Sequence, residues 1–129
     1  MTPAGTARSI DTMMLPTQLS ILLLQVIGQW GVKPDSALHG TSLTLTDLED
    51  DDTWISYRQT MHIIDNAYRL TGRDTLGLDV GSAEDISTYG ILGYAMLSCA
   101  TVAEALAVGE KYQRTAQNLC DVQLEACEG

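Results

Sequence analysis

Arg58, His62, Asp65 and Arg69 follow one another at i, i+4, i+7 and i+11, a spacing that places them along one face of a helix. A guanidinium and an imidazole on such a face can hold a ligand carboxylate or meet a partner surface. Asp65 and Arg69 have the order and spacing of an i, i+4 ion pair, and the bland use of the whole face is solvation. Ligand pockets are apolar with a few polar groups. Tyr57, Arg58, Met61, His62 and Tyr94 combine that character on or near faces expected to be buried, so these five are the candidate ligand-binding residues. His39 sits in a Gly/Ser/Thr-rich loop and is assigned no role.

Catalytic arrangements are not readable. The serines are dispersed, G-x-S-x-G is absent, and neither histidine lies beside a nucleophile, so no catalytic residue is assigned. Cys99, Cys120 and Cys127 form no C-x-x-C and have no histidine near them in sequence, which argues against zinc and against a disulfide framework. The acidic run Asp47–Asp52 lacks the alternating oxygens, the glycine and the terminal glutamate of a calcium loop and reads as a solvated connector. No metal and no cofactor is expected. Gly90-Ile91-Leu92-Gly93 resembles an RNA-clamping G-x-x-G loop only superficially, because its neighbours are apolar and not basic.

The elements that would position these residues are mostly helical. Leu15, Leu19, Leu22, Leu23, Val26, Ile27 and Trp30 make an apolar stripe from Met14 to Gly31, the pattern of one amphipathic helix. Residues 32–55 read as a connector in which Thr46-Asp47-Leu48-Glu49 has capping-box form. Ser56-x-x-Gln59 is a second capping box. It opens a helix with Tyr57, Met61, Ile64 and Tyr68 inward, a stripe widened by Ile63, Ala67 and Leu70, and Gly72 as its stop. Asp74 caps a short helix through Leu76, Leu78 and Val80. The apolar run Gly90–Ala100 reads as a buried short helix. Thr101-x-x-Glu104 then opens a helix whose inner face is Val102, Ala105, Leu106, Gly109 and Tyr112. Residues 119–126 alternate as one strand.

The chain has 129 residues, one domain's worth, with 7 Lys+Arg against 17 Asp+Glu and a net charge of −10. So acidic a surface repels phosphate backbones and excludes nucleic-acid binding through the general field. Apolar runs no longer than Ile21–Leu24 fall far short of the about 20 residues that span a bilayer. The first residues carry no apolar secretion signal, and a cytoplasmic location is expected.

Several linked segments resemble the N-terminal regulatory, effector-binding region of AraC-type transcriptional regulators. They are Tyr68–Gly81 with its Leu76-Gly77-Leu78…Gly81, Tyr89–Ser98 with Gly90-x-x-Gly93-Tyr94-Ala95, Thr101–Leu106, and Glu110–Arg114. Val102 departs from the family's usual leucine. The resemblance implies a small-molecule effector and a homodimer. It also implies DNA contact only through a C-terminal helix-turn-helix domain that nothing in this sequence matches.

The expected fold is mainly α, an irregular multi-helix domain with a short C-terminal β-strand, as part of a larger α/β regulatory domain. Residues 1–13 read as a flexible leader and 14–129 as the helical part of an effector-binding and dimerisation domain. A lone strand cannot satisfy its own ladder, so the chain reads as truncated. The expected function is non-enzymatic ligand sensing. The alternative is a dimerisation module without a ligand, with residues 14–31 or 101–116 as its seam.

Overall fold

The computed structural model describes residues 12–113 and 122–127. A short strand β1 (Met14–Pro16) leads into helix α1 (Gln18–Gly28), followed by the small helices α2 (Pro34–Ala37) and α3 (Leu45–Glu49). Strand β2 (Trp54–Ser56) runs directly into α4 (Tyr57–Thr71), and α5 (Leu76–Ala83), a 3-10 turn at Ile86–Tyr89, α6 (Ile91–Leu97) and α7 (Val102–Tyr112) complete the order. The architecture is mainly α and irregular, with one small antiparallel sheet pairing Leu15 with Ile55. No helix among the described residues is long and apolar enough to cross a membrane.

The core forms where α1 packs against α3, α4 and α5. Ile27, Leu48, Ile55, Ile63 and Leu76 are almost wholly buried there. The apolar stripe of residues 14–31 is therefore split. Its first part is strand, because Leu15 pairs with Ile55 instead of continuing a helical turn. Its last member, Trp30, lies outside the core with the Arg73 guanidinium 4.1 Å above its ring centroid, a cation–π contact. Leu23, Leu24, Val26 and Ile27 of α1 are spent on the core, with Leu19, Ile21 and Leu22 half-buried against it.

Local signals place α4 accurately. Ser56 Oγ accepts from Gln59 N at 3.0 Å while Gln59 Oε1 accepts from Ser56 N at 2.9 Å, the reciprocal capping box. At the other end Gly72 takes a left-handed φ of 61° and its N–H bonds Tyr68 O. The buried face is rotated from the expected one. Ile63 and Ala67 are inward as expected, but their companions are Thr60 and Asn66, so the face is centred about a third of a turn from the line through Tyr57, Met61, Ile64 and Tyr68. Two polar residues can face the core because each is satisfied there: Thr60 Oγ1 donates to Ser56 O, and Asn66 donates to two carbonyls. Tyr68 is left exposed.

Four further expectations are corrected. The capping box of the connector is Thr44 with Asp47, so α3 begins two residues earlier than the Thr46 reading. The helix at 76–83 starts from Thr75 and leaves Leu78 exposed. The apolar run 90–100 is helical but not buried: only Leu92 and Gly93 are inward, and Ile91, Tyr94 and Leu97 face outward. On α7 the supposed inner face contains no fully buried residue, and Val102 is 76% exposed. The strand expected at 119–126 falls partly outside the described residues, and its described part, from Val122, carries no strand. The sheet lies instead at the other end of the chain, where β1 has β2 to pair with.

Candidate functional site

Tyr57, Arg58, Met61 and His62 come together with Asp65 and Asn66 around one surface concavity of about 520 Å³. All six lie on α4, so the helix's own geometry sets their spacing, and three features outside it fix the helix in place. The backbone N–H of Tyr57 donates to Met13 O at 2.9 Å. Gln59 Nε2 donates to Thr41 O at 3.1 Å, tying the first turn to the preceding loop. Asn66 Nδ2 donates to Ala37 O at 2.8 Å and His39 O at 2.9 Å, holding the end of α2 and the loop after it.

That loop reaches the site at Gly40. Its φ is 81°, and a Cβ there would lie 3.0 Å from His62 Cε1 and 3.1 Å from His62 Nε2. The left-handed backbone favours a glycine, and its lack of a side chain lets the imidazole approach. His62 is thus confined on one side by main chain while its ring stays exposed.

Tyr94 is not part of this group. It projects from the outer side of α6, 60% exposed, because α6 turns Leu92 and Gly93 inward. The expected Asp65–Arg69 pair is also replaced: Arg69 Nη2 donates to Asn66 Oδ1 at 2.9 Å. Among the described residues the ion pair found is Arg73 Nε with Asp79 Oδ2 at 3.2 Å. Arg69 and His39 instead line a separate, shallower depression of about 380 Å³ with Asp35 and Ser36. Asn66 was missed by sequence reasoning. A polar residue on a helix gives no sign that it will face the core until its acceptor carbonyls are placed.

Chemically, the α4 concavity offers a cation at Arg58, an anion at Asp65, an imidazole, a phenol and a thioether. These groups can bind and orient a small polar molecule by charge-assisted hydrogen bonds. Among the described residues no three His, Cys, Asp or Glu side chains gather in a way that could hold a metal ion.

Comparison with known proteins bears on what such a concavity serves. An uncharacterised HTH-type transcriptional regulator of Mycobacterium tuberculosis is 29% identical over 98 residues, covering 75% of this chain and 28% of the relative. Its counterpart in Mycobacterium bovis matches to the same extent. The ornithine utilization regulator of Pseudomonas aeruginosa is 26% identical over 116 residues, 90% of this chain and 34% of the relative. The chain thus spans about a third of the length of these relatives. No solved structure matches the chain significantly. Residues 31–129 match the family described as the arabinose-binding domain of AraC transcription regulators, N-terminal. The motifs from Tyr68 to Arg114 therefore carry a true kinship, and the chain belongs to the N-terminal regulatory domains of AraC-type transcription regulators.

Proposed function

We propose that this chain is the ligand-sensing part of a cytoplasmic AraC-type regulator, with the α4 concavity as its effector site. The observation that carries the reading is the gathering of Arg58, His62 and Asp65 with Tyr57 and Met61 around one depression. A guanidinium and a carboxylate on one wall suit a small metabolite that itself bears opposite charges. One relative is named for ornithine utilization, and an amino acid has that character. The domain acts by binding and without catalysis. Its effector favours one of two states of the regulator, and DNA is contacted by a domain outside this chain.

The same reading includes a homodimer. Its seam is assigned to the outer side of α6 and the start of α7, where Ile91, Tyr94, Leu97 and Val102 are all at least 60% exposed. The ligand-free alternative, a dimerisation module alone, is favoured only by that same apolar face.

Thermal-shift screening of amino acids and related zwitterions, followed by titration calorimetry, tests the site. A bound effector raises the melting temperature with its concentration. Removing a charge-assisted contact costs about tenfold to a hundredfold in affinity, so Arg58→Ala is expected to weaken binding by that amount. Unchanged affinity in Arg58→Ala would remove the α4 concavity as the effector site.

A further inference from the structure

Away from the polar concavity, α6, α7 and the segment from Val122 to Cys127 line a different kind of space. Leu92 and Met96 of α6, Leu106 and Gly109 of α7, and Val122 and Leu124 of the segment line a cavity of about 260 Å³. Tyr89, Glu110 and Gln113 complete its wall. It shares none of these lining residues with the α4 concavity.

Glu110 of α7 and Gln113, which caps that helix, hold the segment. Gln113 Nε2 donates to Val122 O at 2.8 Å and Gln113 Oε1 accepts from Val122 N at 2.6 Å. One amide side chain thereby satisfies both main-chain groups of one residue, as a neighbouring strand would. Two residues on, Leu124 N donates to Glu110 Oε2 at 3.1 Å. These bonds tie residues 122 and 124 to the C-terminal turn of α7.

The floor depends on a missing side chain. A Cβ on Gly109 would meet Met96 Cε at 3.1 Å and Met96 Sδ at 3.3 Å. The bare glycine therefore lets the Met96 tip pack against α7 at the floor, in the middle of a helix where glycine is otherwise unfavourable, and a larger side chain there must displace Met96, which lines the cavity.

We infer that this cavity is a binding site for a small, uncharged and mainly apolar molecule carrying one N–H or O–H donor. The size follows from the volume: at about 30 Å³ per non-hydrogen atom, the share of one water in the liquid, 260 Å³ takes about nine atoms. The polarity follows from the lining, which is aliphatic except at the wall where Glu110, Gln113 and Tyr89 lie. The Glu110 carboxylate is an acceptor with capacity beyond its bond to Leu124 N. Together with the chain's net charge of −10, it disfavours an anion. Binding under the segment also holds the segment, so occupancy is readable at residues 122–127.

Indole is a suitable probe, neutral and of nine non-hydrogen atoms with one N–H donor. It should be titrated into the isotopically labelled full chain and followed by amide NMR. The expected result is saturable shifts at Gly109, Val122 and Leu124, with slower amide exchange at Val122 and Leu124. In Gly109→Leu the new side chain occupies the floor, so those shifts should vanish while helix content and melting temperature are retained. A second comparison does not depend on that variant folding: 1-methylindole, which lacks the donor, should bind the unaltered chain at least fivefold more weakly than indole. Arg58→Ala should leave indole binding unchanged. Shifts that never saturate and map to Ile91, Tyr94 and Leu97 would overturn the site, as would undiminished binding in a folded Gly109→Leu. Equal affinity for indole and 1-methylindole would overturn the assigned ligand class.

Discussion

Replacing Asn66 by alanine removes one of the two side chains, with Gln59, that join α4 to the loop behind it. Asn66 is 4% exposed. Its amide donates to Ala37 O and His39 O, and its oxygen accepts from Arg69. Losing the two donated bonds costs about 1 kcal/mol each, and leaving the buried Ala37 carbonyl without this donor adds about 1 kcal/mol, so the expected loss is about 3 kcal/mol. For a chain of this size that lowers the melting temperature by about 12 °C. Asn66→Asp separates the causes. It keeps the shape and the acceptor for Arg69, yet it removes both donors and sets a negative oxygen against two carbonyls. It should therefore destabilise at least as much as alanine. Arg69→Ala touches only the bond to Asn66 Oδ1 and should cost at most about 1 kcal/mol. Urea unfolding followed by helical circular dichroism measures all three. An Asn66→Ala loss below about 1 kcal/mol, or an aspartate milder than the alanine, would refute the claim that donated hydrogen bonds hold the loop.

Two other expectations follow from backbone and charge. Gly72→Ala forces a side chain into a left-handed φ of 61° at the end of α4 and should cost about 1 kcal/mol, whereas Gly81→Ala, inside α5 with nothing within 4 Å of a new Cβ, should stabilise by about 0.5–1 kcal/mol. Denaturant midpoints compare the pair directly, and equal effects would refute the distinction. Burial raises the ionisation of the Tyr89 hydroxyl above its ordinary 10.0, and the Glu84 charge and hydrogen bond raise it further. Since the unfolded chain ionises first, this contribution to stability is complete below pH 10 and is lost as pH climbs through the raised value. Tyrosinate absorbance should show a late-titrating component that Glu84→Gln moves only part of the way back and Tyr89→Phe abolishes.

What could be read from the sequence was local. The Ser56–Gln59 box and the Gly72 stop lie within a few residues of the groups they satisfy, so composition and spacing suffice to bound α4. The sheet was not legible, because Leu15 and Ile55 pair across 40 residues and Leu15 also fits the periodicity of the helix that follows. On the inward face of α4, Ile63 and Ala67 were legible while Thr60 and Asn66 were missed, for a related reason. Hydropathy ranks Tyr57 and Tyr68 above Thr60 and Asn66, but burial is decided by which polar groups find partners, and those partners are at Ser56, Ala37 and His39. Four of the five site candidates share a concavity because consecutive turns of one helix keep them together. Tyr94 depended on the packing of a different element, where seven apolar-looking residues rest on an inward surface only two residues wide.

The two proposed sites stand on ground of different stability, and that difference bears on what each could transmit. The α4 concavity rests on Ile63 and Ala67, both fully buried, and on the buried amide of Asn66. A ligand there meets a wall that is already formed and loses little free energy in ordering it. On α7 no residue is buried, and the bonds that carry residues 122–124 are exposed. Regions built that way lie at the low end of local stability, so the same binding energy displaces their equilibrium further. A molecule under the segment therefore acts mainly by ordering chain, whereas one at α4 acts through contacts it makes with a fixed surface. Hydrogen exchange distinguishes the two: an α4 ligand should leave protection at Val122 and Leu124 unchanged, and indole should raise it there alone.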